Sequence, residues 1–293
     1  MPVFHVLTNG TNHLVCIDDP ASRVYEVLDH NSRRQHSIER VNGAPGDLER
    51  HFASAVGTVA VAQSELDVGQ CYPRIHRPPL WLPTADYTRE WRNSAQAVRT
   101  LFASLREVLR VVEPSAANLG AYGHELRQLL ILGCNEVESS CRAVLKANGH
   151  GGDEKRWTMR EYVKLLPLMR LDEWEVRLPH YPDLPPFKPF GSWNCVEPTQ
   201  SLVWYHEHNA VKHDRESSFE KATLGNALNA LGASLVLVVA QFGVFGRVGM
   251  GPEATDIVVT VQPTWALSEY YVRPRSDLSP PDDWVATTHP ALA

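Results

Sequence analysis

The segment HEHNAVKHDRESSFEKATL (206–224) holds the densest set of reactive side chains in the chain. His206, His208, Asn209, Lys212, His213, Asp214 and Arg215 all fall between positions 206 and 215. On a helix, at about 100° per residue, His206, Asn209 and His213 lie within about 60° of one another, while His208 points elsewhere. Two imidazoles that titrate near neutrality can serve as base and acid. With positive charge from Lys212 or Arg215 on a phosphate, those groups suffice to cleave RNA through its own 2′-hydroxyl, with no metal and no cofactor. His206, His208 and His213 also raise the question of zinc. His206 and His208 diverge on a helix, however, and no further ligand follows by spacing, whereas zinc needs three or four convergent ligands. The plain alternative is a polar turn between two helices, with histidines placed favourably at a helix C-terminus.

The elements that must position these residues are legible nearby. A helix is expected from about Pro198-Thr199 to Lys212, then a polar break, HDRESS (213–218). Ser217 and Glu220 have capping-box spacing for a further helix over 219–242. The free N–H groups at its start are expected to help bind an anion such as phosphate. Its apolar run, LGASLVLVVAQFGVFG (231–246), is interrupted by Gln241 and short for a membrane span, which takes about 20 residues. It reads as a buried core helix, and no membrane association is expected.

Upstream, Tyr87, Trp91, Ala95, Val98, Phe102, Leu105, Leu109 and Val112 recur at helical spacing across 85–113, and Pro114 closes the stretch. A second helix is expected over 121–147, stopped by Asn148-Gly149. It carries Glu125, Arg127, Glu136 and Glu138 beside its apolar stripe. Glu136 neighbours Val137 in that stripe and is the expected carboxylate to orient His213. Glu125 and Glu138 read as solvated charges. Thr158 and Glu161 have capping-box spacing for a short helix over 159–166, and WEVRL (174–178) reads as a short strand. The segment 178–193, rich in proline and aromatics, is expected to wrap the bundle or form a rim.

The N-terminal 70 residues read as β-rich. VFHVL (3–7) and HLVCI (13–17) flank the hairpin signal Asn9-Gly10, and RVYEVL (23–28) is a third candidate. GTVAVAQSEL (57–66) is ambiguous between strand and helix. Four prolines in CYPRIHRPPLWLPT (71–84) mark an extended linker. The expected organisation is a β-rich unit (1–70), a linker (71–84), a helical bundle (85–246) and an extended tail (247–293) with a strand at DIVVTV (256–261). The class is α+β, mainly helical.

Composition narrows the field. A net charge of -6 argues against a protein that coats DNA, whose affinity rests on many phosphate contacts. Five cysteines, odd in number and without a CxxC pair, read as reduced thiols. The start, MPVFHVLTNG, lacks a signal peptide's basic and apolar regions. A cytoplasmic location is expected.

The stretch NAVKHDRESSFEKATLGNALNALGAS (209–234) resembles the C-terminal part of HEPN-type helical domains, and HELRQLLILGCNEVESSCRAVLKANG (124–149) resembles the earlier helix of bacterial HEPN-like proteins. The resemblance spans about 85–246. It implies a HEPN-like bundle. Many of its members are metal-independent endoribonucleases of toxin–antitoxin, CRISPR and anti-phage systems. The family mark is an Arg, four to six residues, then a His. Here His213 matches the motif His and Asn209 a polar motif position. The Arg is absent: the candidate positions hold His208, Glu207 and His206. The resemblance therefore supports two readings. One is an RNA- or nucleotide-acting effector with His213, His206, Asn209 and Glu136 as catalytic groups and Lys212, Arg215 and His208 as substrate ligands. The other is a catalytically silent binding and dimerisation module. A homodimer is expected under both, with an antitoxin or defence-system protein as a further partner. The structural expectation is that His206, Asn209 and His213 converge on one cleft, with Lys212 or Arg215 in reach. Coordinates that send these side chains to different surfaces overturn it.

Overall fold

The computed structural model describes residues 3–8, 11–19, 24–29, 35–40, 59–67, 69–77, 85–243, 256–271 and 284–292. The protein is mainly helical with a smaller β component, and its chain divides into two compact units.

The first unit comprises Met1–Cys71, Arg77–Thr84 and Thr264–Thr287. Its sheet has the strand order β4-β3-β2-β1-β5, antiparallel throughout: β1 (Val3–Thr8), β2 (Thr11–Asp19), β3 (Val24–Asp29), β4 (Gln35–Arg40) and β5 (Val59–Gln63). The β1–β2 register pairs Thr8 with Thr11; Asn9-Gly10 itself lies outside the described residues. The ambiguous 57–66 stretch supplies a strand. β4 gave no periodic signal, because QHSIER holds one apolar residue. An edge strand needs no apolar alternation, and charged residues there discourage pairing with other chains. Further on, β6 (Gln70–Cys71) pairs in parallel with β9 (Val285–Ala286). Arg77 donates to Glu65 at 3.0 Å and lies over the Trp265 ring.

The second unit comprises Tyr72–His76, Ala85–Pro263 and Thr288–Ala293. Its long helices are α1 (Ala85–Leu109), α2 (His124–Ala147), α5 (Val203–His213) and α7 (Leu224–Phe242). Three shorter ones are α3 (Met159–Tyr162), α4 (Leu165–Met169) and α6 (Arg215–Ser218). Thr158 and Glu161 form the expected capping box on α3. The proposed start of the last helix at 219 is corrected: residues 219–221 form a 3-10 turn, and α7 begins at Leu224 with Thr223 accepting from the Asn226 N–H. The Thr223 hydroxyl satisfies one of the free N–H groups of the first turn and so sets the helix start.

α7 is the centre of this unit. By length and composition it could cross a membrane. Every residue from Ala230 to Phe242 is nonetheless buried inside the unit. α2 lies along it, with α1 and α5 packed on the pair. Leu126, Leu129, Leu130, Cys134, Val137, Cys141, Val144 and Leu145 form the buried stripe of α2. The Ser234 hydroxyl donates to the Gly133 carbonyl across the contact at 3.2 Å. β7 (Glu175–Arg177) and β8 (Val258–Val261) pair antiparallel. Phe187 and Pro189, from the proline-aromatic segment, lie against α7 at Gly232. The chain beyond 246, expected as one extended tail, divides instead. β8 and residues 288–292 belong to the helical unit and 264–271 to the β-rich unit.

The α2–α7 approach generates a stability prediction. A Cβ at Gly133 would meet the Ala230 Cβ at 3.0 Å, Leu231 Cδ1 at 3.1 Å and the Ala230 carbonyl carbon at 3.3 Å. Ala230 cannot swing away. Gly133→Ala gains about 1 kcal/mol of helix propensity but overpacks a tight contact, costing roughly 1–3 kcal/mol. A net loss of up to about 2 kcal/mol in urea unfolding is expected; a higher midpoint overturns the close packing.

Candidate functional site

α5 starts at Val203, four residues after the expected Thr199. The preceding segment is held in a different arrangement. Asn194 Oδ1 accepts from the Val196 and Glu197 N–H groups at 3.1 and 3.0 Å, and Ser201 Oγ accepts from the Asn194 N–H at 3.1 Å. Local side-chain bonds of this kind compete with helix. From Val203 the buried stripe takes over: Trp204, Tyr205, His208 and Val211 face the bundle. Trp204 Nε1 donates to the Pro189 carbonyl at 2.8 Å, which fixes the start of α5 against the proline-aromatic wrap.

That register decides which histidines meet solvent. His206 and His213 are exposed and Asn209 is half-buried. With Val203 and Ala210 they form one outward stripe of spacing three or four. His208 points inward and is fully buried, with its ring against Tyr205. Neither ring nitrogen has a hydrogen-bond partner. Burial, with the positive charges of Lys212 and His213, pushes its pKa down to about 4. The expectation of His208 as a substrate ligand is therefore corrected: it is a neutral core residue in this structure. Lys212 is exposed but sits about 100° around the helix from His213, on the side of His208. Glu207 is tied to Lys221 at 2.9 Å. The backbone of Arg215 is in α6; its side chain lies outside the described residues.

The anion site expected at the start of the 219–242 helix does not form: at α7 the Leu224 and Gly225 N–H groups donate to the Ala121 and Leu119 carbonyls and the Asn226 N–H to the Thr223 hydroxyl. The short helix before it offers no anion site either. α6 is a single turn, and the Asp214 carboxylate accepts from the Ser217 N–H at 3.2 Å. A carboxylate already occupies that helix end, and it repels phosphate. Asp214 also takes the Ser217 hydroxyl, and these bonds hold its carboxyl below the ordinary range.

Glu136 is displaced as well. The carboxylate that reaches α5 is Glu138, which accepts from the Tyr205 hydroxyl at 2.7 Å. Two residues along a helix turn the side chain by about 200°, so Glu136 and Glu138 serve different neighbours. Glu136 lines a cavity of 170 Å³ with Arg74, Glu90, Asn93, Ser94, Ser139 and Ser140. Sequence reasoning did not find this second polar cluster. Its signal was present in part: Glu90 and Ser94 on α1, and Glu136 and Ser140 on α2, each stand four apart beside an apolar stripe. Arg74, from the proline-rich stretch, had no periodicity to betray it.

Cys71, Cys134 and Cys141 are buried free thiols and Cys195 is exposed. Burial raises the Cys71 thiol to about 12 and also pushes Cys134 and Cys141 up, so they are inert as nucleophiles near neutral pH. Among the described residues, no three His, Cys, Asp or Glu side chains are grouped as a metal site requires. The chain matches no family model, no curated protein and no solved structure.

The burial of His208 predicts an acid sensitivity. Its ring stays neutral in the fold down to about pH 4, whereas an unfolded histidine takes a proton near 6.5. Stability is full above about 6.5 and falls as pH drops toward about 4, because the unfolded chain binds the extra proton. His76, also pushed down to about 4 by burial, acts in the same window. His208→Leu should reduce the loss of stability between pH 7 and 4.5 by the equivalent of about one proton, leaving the contribution of His76. Urea midpoints at both pH values check this; an unchanged difference overturns it.

Proposed function

We propose that the helical unit is a HEPN-like binding and dimerisation module, catalytically silent, which pairs through the outward face of α5. The observation that carries this reading is the stripe Val203, His206, Ala210 and His213. Val203 is 61% exposed at one end of it, and Ala210 is a small residue at its middle. A small residue lets two helices approach, and a self-complementary stripe suits a two-fold axis. The groups that catalysis would use are dispersed within one chain: His208 lies in the core, Glu136 serves another cavity, and Lys212 lies off the stripe.

A second reading keeps the metal-independent endoribonuclease, and a specific observation favours it. His206 and His213 are both exposed on one face. They stand seven residues apart, about 10 Å along the axis, and their Cα–Cβ bonds tilt the same way. One helix therefore does not bring both onto one phosphate. A second copy would have to supply the partner imidazole, so on this reading cleavage requires the dimer.

Light scattering at micromolar concentration should give a homodimer. Val203→Asp places a carboxylate in the first turn of α5, where the helix dipole favours it, so the fold should persist. It should raise the dimer dissociation constant at least about tenfold. A wild-type monomer overturns the pairing. Incubation with RNA should leave the RNA intact with or without EDTA. EDTA-resistant cleavage with a bell-shaped pH profile, abolished by His213→Ala, selects the second reading instead.

A further inference from the structure

The register of α5 sorts its three histidines. His208 is sealed in the core, while His206 and His213 stand exposed on the outward stripe. The ionisable side chains of that stripe, Val203, His206, Ala210 and His213, are its two imidazoles. Ala210 is the smallest residue in it, so a two-fold crossing comes closest there. His206 lies four residues before Ala210, about 6 Å along the axis, and His213 three residues after it, about 4.5 Å. Two-fold symmetry allows two senses of pairing. With the helices parallel, each histidine faces its own copy. With the helices antiparallel, His206 of one chain comes level with the partner's His213 to within about 1.5 Å along the axis. Either sense sets imidazole against imidazole.

The carboxylates around the stripe are engaged elsewhere. Glu207 is tied to Lys221 of the 3-10 turn at 2.9 Å. Asp214 accepts from the Ser217 N–H and hydroxyl. On the buried side, Glu138 of α2 accepts from the Tyr205 hydroxyl, and α7 brings no ionisable side chain. Past the end of α5, Glu216 on α6 and Glu220 in the 3-10 turn are exposed, and His124 at the start of α2 lies against Phe219. Lys212, exposed beside His213, and Arg215 add positive charge at this end of the helix. The surroundings therefore offer little to neutralise a charged imidazole on the stripe.

On the reading that α5 pairs through this stripe, we propose that acid separates the two copies: neutral imidazoles pack across the two-fold axis, and their protonation brings like charges together there. An imidazole ordinarily changes charge between about pH 8 and 5. Two from each copy place up to four positive charges at one interface, and like charges brought together oppose association. The separated copies take up protons more readily than the dimer, so the dissociation constant rises as pH falls. The fold outlasts the dimer, because His208 in the core stays neutral down to about pH 4. One helix thus carries a histidine pair that answers to mild acid and a third that answers only to stronger acid.

The test is light scattering of the full chain over a range of concentrations at about pH 7.5, 6.5 and 5.5, with circular dichroism at each. The dissociation constant should rise at least about tenfold between pH 7.5 and 5.5 while the helical signal holds. The slope of its logarithm against pH counts the protons taken up on separation. His206→Gln and His213→Gln keep a polar side chain without the charge, and both positions are exposed, so the fold should persist. Each should lower that slope. A wild-type monomer at pH 7.5 overturns the pairing itself. A dimer whose dissociation constant does not change with pH leaves the pairing standing and overturns the acid separation. So does a slope that neither substitution lowers.

Discussion

The close approach of α2 to α7 is the constraint on which the helical unit depends. It exists because Gly133 faces Ala230, and no larger pair fits. The Ser234 hydroxyl bonds the Gly133 carbonyl at that crossing, so a polar group in an apolar helix is satisfied by the neighbour. α1 and α5 then pack on the pair, and the proline-aromatic segment closes over α7 at Gly232. Shift that crossing by one residue and the seats of α5 and of the Tyr72–His76 segment move with it.

The register of α5 follows from this. Trp204, Tyr205, His208 and Val211 form the only face of the helix that is consistently buried. Tyr205 is anchored to Glu138 on α2. Once those positions face inward, His206 and His213 must face outward, and His208 must go without partners. One interface thus sets two chemistries: solvent-exposed imidazoles on the outer stripe and a neutral, acid-sensitive one in the core. The same interface separates Glu138, which serves α5, from Glu136, which serves the α1–α2 cavity.

That cavity depends on the same frame. Asn148 just past α2 and Ala240 in α7 hold the backbone on either side of Arg74. Gln241, buried within α7, receives the Arg74 Nε and gives its own amide to the Leu237 carbonyl at 2.9 Å. The polar residue that interrupts α7's apolar run is therefore the anchor for the guanidinium.

The long helices were legible in the sequence because their apolar residues repeat at helical spacing, and burial on one face requires that repeat. The first three candidate strands and the Thr158–Glu161 cap were legible for the same kind of local reason. So was the cluster at 206–215 as a set of residue types on a helix. The sequence could not show where the α5 helix begins, because Asn194 and Ser201 delay it through bonds outside the helical pattern. It could not show that His208 is core, because a histidine carries no hydrophobic signature. Nor could it place Glu136 beside Arg74, since 62 positions separate them and only the packing of α1 and α2, with the bonds that hold the Tyr72–His76 segment, brings them together. Periodicity determined which residues form elements; the side chains' destinations were decided by which helix each one met.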